Sequence, residues 1–362
     1  QRAWVYRASK DLSTMVPFGS TKSMLGAGRV IFRNGPFPVL DQNSAPTQPL
    51  MIGPHCRQPY ISHSLHNISG MSYGALSAPA VKALSKGASL AGCWLNTGEG
   101  GLSDYHLEGG CDLVYQVGTA RYGVRDAEGL LSDERLAAMA AHQQVKMFEI
   151  KLSQGAKPGK GGILPAAKVT AEIARIRGIP IGQASISPNR HPDVGSPEEL
   201  LDLIQRIRNV TGKPVGIKLV VGSWHWLEDL FLLIHERGIE SAPDFITVDS
   251  GDGGTGAAPM ALMDDVGIHL VEALPLISDL LQGYGLRERV IVIASGKLIN
   301  PNMVAMAICL GADICVSARG YMFSLGCIQA MQCHQNTCPT GVTSHDPDLQ
   351  RGLVPRDKAR RV

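Results

Sequence analysis

From about residue 65 onward, short apolar runs rich in β-formers alternate with amphipathic stretches, and no other feature of the chain limits its fold so tightly. Such alternation is the pattern of repeated β–α units around a parallel sheet. The runs predict strands at His66–Met71, Cys93–Asn96, Val145–Ile150, Ile181–Ser185, Val215–Val220, Asp244–Val248, Val290–Ala294 and Asp313–Ser317. Ser77-Ala-Pro-Ala, Ser196-Pro-Glu-Glu and Asn300-Pro-Asn set a capping side chain before a proline, and so predict helix starts between them. A length of 362 residues suits two ordinary domains or one α/β (β/α)8 barrel with insertions, and the repeated pattern favours the barrel.

Two excursions interrupt the repeat. Between the second and third predicted strands, residues 101–141 carry alternating runs at Asp112–Gly118 and Arg121–Arg125, which suggest a β-ribbon over the barrel mouth. After the third, Lys151–Gly162 has the glycine and lysine density of a ligand loop. Residues 1–65 are rich in Pro and Gly with little periodicity and are expected to form an extension packed on a barrel of residues 66–345, with 346–362 as a C-terminal tail.

Composition narrows the partners. A formal net charge of +2 gives no general attraction to nucleic acid or anionic lipid. The eight cysteines are scattered and then gathered at 327, 333 and 338, unlike a secreted disulfide framework, so a reducing cytoplasmic setting is expected. No run approaches the roughly 18 apolar residues of a membrane span, although a chain that opens on Gln1 leaves room for an upstream anchor.

In a barrel of this kind the chemistry sits at the C-terminal ends of the strands, and unusual residues collect there. The first predicted strand runs into Gly70-Met-Ser-Tyr-Gly, the second into Asn96-Thr-Gly-Glu-Gly-Gly and the third into Lys151-Leu-Ser-Gln-Gly-Ala-Lys157. The sixth runs into Asp249-Ser-Gly-Asp-Gly-Gly-Thr-Gly. Gly296-Lys297 and Ala318-Arg319-Gly320 follow the last two strands, where such barrels bind phosphate through backbone amides. Either pair could also be a tight turn; together they imply a phosphorylated cofactor. Lys218, inside the fifth predicted strand, is expected to face the barrel axis and to need an anion there: a reduced flavin edge, or a carboxylate on a neighbouring strand.

Cys327-x5-Cys333-x4-Cys338-Pro339 places three thiols within twelve residues. Soft thiolates in this spacing point to an iron–sulfur cluster, while His334 keeps a zinc site open.

These segments together resemble the FMN-binding synthase domain of the glutamate synthase family, over residues 65–345. The resemblance rests on MSYGALS at 71–77, NTGEGG at 96–101, YHLEGG at 105–110, QGAKPGKGG at 154–162, SGDGGTGA at 250–257 and CIQAMQCHQNTCPTGV at 327–342. It implies a (β/α)8 barrel, FMN, and a [3Fe-4S] cluster on Cys327, Cys333 and Cys338. It implies Ser72, Thr97, Gln154, Lys218, Gly254, Thr255, Gly296, Arg319 and Gly320 around the flavin, and Glu99, Lys151 and Lys157 facing the substrate. The implied reaction is reduction of 2-iminoglutarate, formed from 2-oxoglutarate and ammonia, to L-glutamate. Glu99 would then be the acid/base for the imine nitrogen, with a pKa tuned by a dry pocket, or else a carboxylate that caps the glycine turn.

The chain also departs from the family's full-length pattern, because neither an amidotransferase domain nor a β-helix fits within it. The nitrogen is therefore expected from free ammonia or another amine. Ser295 stands where the family has an acidic residue before the phosphate glycines. No second glycine-rich nucleotide fingerprint follows a strand, so electrons are expected from ferredoxin or a reductase subunit, in a homo- or hetero-oligomer, rather than directly from NAD(P)H. Two other readings stay open: a flavin barrel acting on another 2-oxo or 2-hydroxy acid or an N-substituted glutamate, and an electron-transfer or redox-sensing module.

Overall fold

A computed structural model of the chain describes residues 1–15, 17–20, 23–25 and 30–362. Its centre is a closed barrel of eight parallel strands in sequential order: β1 His66–Ile68, β2 Leu95–Asn96, β3 Leu113–Val117, β4 Val145–Lys151, β5 Val215–Val220, β6 Phe245–Asp249, β7 Ile291–Ser295 and β8 Ile314–Ser317. Five consecutive buried positions in β3 and in β6 show why parallel strands fit, since helices cover one face and the barrel interior the other.

Two expectations are corrected. The run at Asp112–Gly118 is not part of a ribbon: Leu113–Val117 is the third barrel strand, paired with β2 and β4. Its polar position, Gln116, does not face water but turns into the barrel, where its Nε2 donates to Glu149 Oε1 at 2.7 Å. Only an isolated antiparallel bridge, Arg125 to Leu131, follows it. Conversely, the predicted strand at Ile181–Ser185 is not in the barrel. Its first four residues are exposed, and Ser185–Ile186 pairs antiparallel with Ile163–Leu164. One isoleucine followed by Gly182 and Gln183 offers nothing to bury on two faces.

The barrel interior is layered. At the N-terminal ends of the strands Trp94, Val114, Met147, Phe245, Ile293, Ile314 and Val316 pack together. The antiparallel hairpin Leu50–Ile52 with Tyr60–Ser62 inserts fully buried Ile52 into this layer and closes that end. Above it lies a polar layer around Glu149, only 3% exposed, which accepts from Asn96 Nδ2 at 2.8 Å, Gln116 Nε2 at 2.7 Å and Thr247 Oγ1 at 2.7 Å. A buried carboxylate is tolerable when its lone pairs are filled in this way.

The outer helices begin largely where the capping signals put them. Ser77 and Ser196 accept from the amides of Ala80 and Glu199 at the starts of helices Ala78–Ala91 and Pro197–Thr211. Asn300 precedes helix Pro301–Cys309 without a side-chain cap, and its Oδ1 is buried without a partner. The N-terminal helix Arg2–Ala8 packs Val5 against Ile299 and Phe323. At the other end of the chain Val362 lies against Gly87, where a Cβ would stand 2.4 Å from Val362 Cβ. Among the described residues no helix is long and apolar enough to cross a membrane.

Candidate active site at the barrel mouth

A cavity of about 440 Å³ opens at the C-terminal ends of the strands. The turn after β2, the last residue of β4 and the loop beyond it bring Glu99, Lys151 and Lys157 to its wall. Lys151 Nζ lies 3.0 Å from Glu99 Oε1. Glycines make room for the carboxylate: a Cβ at Gly118 would stand 2.6 Å from Glu99 Cβ, and one at Gly162 would stand 2.3 Å from Glu99 Oε1.

Electrostatics assign these groups different roles. Burial alone would raise the Glu99 pKa, but the charges of Lys151, Lys157 and Arg177 outweigh it and hold the carboxyl below its ordinary value. The sequence expectation is of a carboxyl tuned for acid/base work by a dry pocket; the cations around it bias it toward the ionised form. Lys157 is the group that moves toward neutrality. Burial, reinforced by Lys151 and opposed by Glu99, pushes it down to about 8.

Arg177, which the sequence reading missed, completes the cluster. It ends helix Ala171–Arg177, is 5% exposed and lines the cavity. Its guanidinium lies over the Tyr122 ring at 5.1 Å and makes only long contacts, 3.4 Å to Ser185 Oγ and 3.5 Å to the Tyr73 carbonyl. Among the described residues its Nε has no partner. The available signal was helical phase: Arg177 shares the buried face of Ile173 and Ala174, whereas Arg175 is exposed.

Five of the residues expected around a flavin, Ser72, Gln154, Gly254, Thr255 and Arg319, line the same cavity. Arg319 is half-buried and makes no hydrogen bond or ion pair among the described residues. A Cβ on Gly254 would stand 3.3 Å from its Nη2, so the glycine loop after β6 and the arginine after β8 close on one spot.

The other four do not line the cavity. Thr97 Oγ1 donates to the Gly98 carbonyl at 3.0 Å. Gly320 N donates to Ser317 Oγ at 3.2 Å. Gly296 has φ +119° and packs on Ser250, which a Cβ would approach to 2.5 Å. Its neighbour Lys297 is held by Asp252 at 2.5 Å. Lys218 faces the barrel axis as expected and lies 3.5 Å from Asp249 Oδ2. Burial disfavours its charge, but Asp249 and Glu149 outweigh burial and raise its pKa.

Cys327, Cys333 and Cys338 line the same cavity. The three are electrostatic neighbours: burial raises Cys327 most, the Gln329 backbone opposes it, and the other two thiols add to the rise. Cys338 is pushed down to about 7, because hydrogen bonds from the side chains and amides of Thr343 and Thr340 overcome its burial. Among the described residues no group of three His, Cys, Asp or Glu is arranged to hold a metal ion. His334 lines the cavity but pairs with Gln335 at 3.3 Å. His191 is buried, with Nε2 on the Lys151 carbonyl at 3.1 Å, while Arg190 is an exposed turn residue bonded to the Val194 carbonyl.

The sequence pattern described as the conserved region in glutamate synthase matches residues 41–362. The glutamate synthase large subunit-like protein YerD of Bacillus subtilis is 48% identical over 314 residues, which is 86% of this chain and 59% of that protein. The archaeal-type glutamate synthase [NADPH] of Thermotoga maritima is 36% identical over 81% of this chain and 55% of its own length. The archaeal glutamate synthase [NADPH] of Methanocaldococcus jannaschii is 37% identical over 82% and 54%. The chain thus spans little more than half the length of these relatives. It belongs to the glutamate synthase family.

Proposed function

We infer that this chain is an FMN-dependent oxidoreductase that forms L-glutamate from 2-oxoglutarate and ammonia or another amine. The observation that carries the reading is the buried cluster of Lys151, Lys157 and Arg177 around a single carboxylate, Glu99, on one cavity wall. Three cations against one anion leave two positive charges in excess, which match a dicarboxylate better than a 2-oxo or 2-hydroxy monocarboxylate.

The residues present fit FMN. Arg319 is an unpaired cation on the cavity wall beside the glycine loop at Gly254, and can take a phosphate. Lys218, buried with its charged form favoured, pairs across β4 and β5 with Lys151 of the cavity lining. FMN, when bound, supplies the hydride that reduces C2 of 2-iminoglutarate.

The protein's own part is to hold and protonate. Arg177, with its unfilled Nε and planar fork, binds the distal carboxylate, and Lys151 the carboxylate next to C2. Reduction of the C=N bond adds one hydride at carbon and one proton at nitrogen. Lys157, with a pKa of about 8, is charged at neutral pH yet can release that proton to the substrate nitrogen. Glu99 stays ionised and favours the charged form of Lys157.

Cys327, Cys333 and Cys338 line the cavity together, and one of them is inclined to ionise near neutral pH; in this reading they would be the thiols that hold an iron–sulfur centre, which would draw them closer than they stand here. Electrons then enter there from ferredoxin or a reductase subunit; the NADPH in the names of the relatives belongs to those longer proteins. The test is anaerobic photoreduction of flavin-loaded protein followed by 2-oxoglutarate with ammonia or methylamine. Flavin reoxidation with a matching yield of glutamate or its N-methyl derivative is expected. Bound flavin that no such pair reoxidises would overturn the reading.

A further inference from the structure

The formal charge of +2 on the whole chain conceals a local imbalance. Residues 1–40 hold six Lys and Arg against a single acid, Asp11, a charge of +5, so the remaining 322 residues sum to −3. Large apolar side chains gather in the same stretch. Phe18, Leu25, Ile31, Phe32, Phe37 and Leu40 are all exposed, Phe37 to 94%, and every described residue from Lys10 to Pro49 is exposed. Apolar residues scattered singly over a surface need no explanation; a run of them along one segment marks a surface that something covers.

This stretch is anchored at both ends. Helix Arg2–Ala8 sits beside the mouth, where Val5 packs on Ile299 and Phe323, and Arg2 Nη1 and Tyr6 Oη donate to the carbonyls of Ile328 and Cys327 at 2.7 and 2.6 Å. Leu50 opens the hairpin that closes the floor. The chain between therefore passes from one end of the barrel to the other along its outside, and its described residues turn their apolar groups to water rather than to the barrel. A connection that had only to span this distance could be made of polar turn residues. Pro36 and Pro38 flank Phe37; neither has an amide hydrogen to donate, and both disfavour helix at the residue before them, so Phe37 stays displayed.

We propose that the arm between Lys10 and Leu40, through Phe18, Phe32, Arg33 and Phe37, binds the surface of an anionic lipid bilayer. Cations interleaved with large apolar groups on one exposed segment suit such an interface, because the headgroups attract the first and the acyl boundary takes up the second. Nucleic acid would engage the cations and leave Leu25, Ile31 and Leu40 in water. The same arm on a second copy would set like charge against like charge. The contact is with the membrane surface and calls for no spanning helix. It does not rest on the reaction assigned to the mouth.

The test is flotation of the full chain with vesicles of phosphatidylcholine alone and of phosphatidylcholine with about 30 mol% phosphatidylserine, at about 0.05 M and about 0.5 M salt. Wild-type protein is expected to bind the anionic vesicles roughly tenfold more tightly than the neutral ones at low salt, and to lose most of that advantage at high salt. Phe32→Ser combined with Phe37→Ser is expected to weaken binding roughly tenfold, and Arg33→Glu alone about fivefold. Thermal unfolding of both variants is expected to match wild type, since the substituted side chains are exposed, and this separates lost binding from a lost fold. Wild-type protein that stays in the buffer, equal binding to both kinds of vesicle, or wild-type binding by the double variant overturns the proposal. Binding to duplex DNA without binding to vesicles overturns it in favour of nucleic acid. A dimer that the double variant abolishes, again without vesicle binding, overturns it in favour of a second copy of this chain.

Discussion

Lys151 Nζ meets Glu99 Oε1 at 3.0 Å, which joins the end of β4 to the turn after β2 across the barrel mouth with both side chains largely buried. The pair is the hinge of the charge arrangement: Glu99 offsets the mutual repulsion of Lys151 and Lys157, and the lysines keep Glu99 ionised. Removing the carboxylate therefore acts on a neighbour's protonation more than on a proton of its own.

Glu99→Gln should lower the Lys157 pKa further, by about one unit, because an opposite charge nearby has been lost. The alkaline limb of kcat/KM against pH should move to lower pH by that amount, with activity down roughly fivefold at pH 8. A limb left in place would mean that Lys157 is not the titrating acid.

Lys157 itself should weaken the empty protein. Its folded pKa, about 8, lies below the ordinary lysine value of 10.5, so the unfolded chain binds more protons between these values. Stability should rise with pH across that window, and the cost of burying the charge is present in full below it. Lys157→Met should stabilise the apoprotein at pH 7 by up to about 3 kcal/mol, with the difference shrinking between pH 8 and 10.5. Urea denaturation at pH 7 and pH 10 measures it.

Arg177→Lys should raise KM for 2-oxoglutarate about tenfold to a hundredfold and change kcat less, since a flexible point charge replaces a fork that engages a carboxylate with two donors. Steady-state kinetics with saturating amine separates the two parameters. An equal loss in kcat and kcat/KM would place Arg177 in the reduction step instead.

Glu149→Ala should be the most damaging core change. It strands the donors of Asn96, Gln116 and Thr247 and takes from Lys218 one of the carboxylates that favour its charge. A loss of about 3–5 kcal/mol is expected from such a buried, satisfied carboxylate, and thermal unfolding would register it.

The sequence announced the barrel because parallel strands need long buried runs and helices need caps, and both leave local marks. It misplaced β3 and invented a strand at Ile181–Ser185 for a related reason. Polar residues inside a barrel interrupt the apolar pattern, and Gln116 looks solvent-facing until Glu149 is found opposite. At the mouth, Glu99, Lys151, Lys157 and the three cysteines were legible because charge and sulfur in glycine-rich strand ends are unusual. Arg177 was not. It arrives from an excursion far along the chain, and its burial depends on how that excursion folds back. The sense of the Glu99 shift was also hidden, since it follows from three cations that only the folded chain brings together.

The hairpin that seats Ile52 among Trp94, Met147 and Phe245 makes the barrel a vessel with a sealed floor. With that end filled, a small molecule reaches the polar layer around Glu149 from the mouth. A chain begun at residue 66 would keep every group of the mouth and still lack its bottom stopper, so the part of the sequence that reads as a mere preface is what makes the vessel hold.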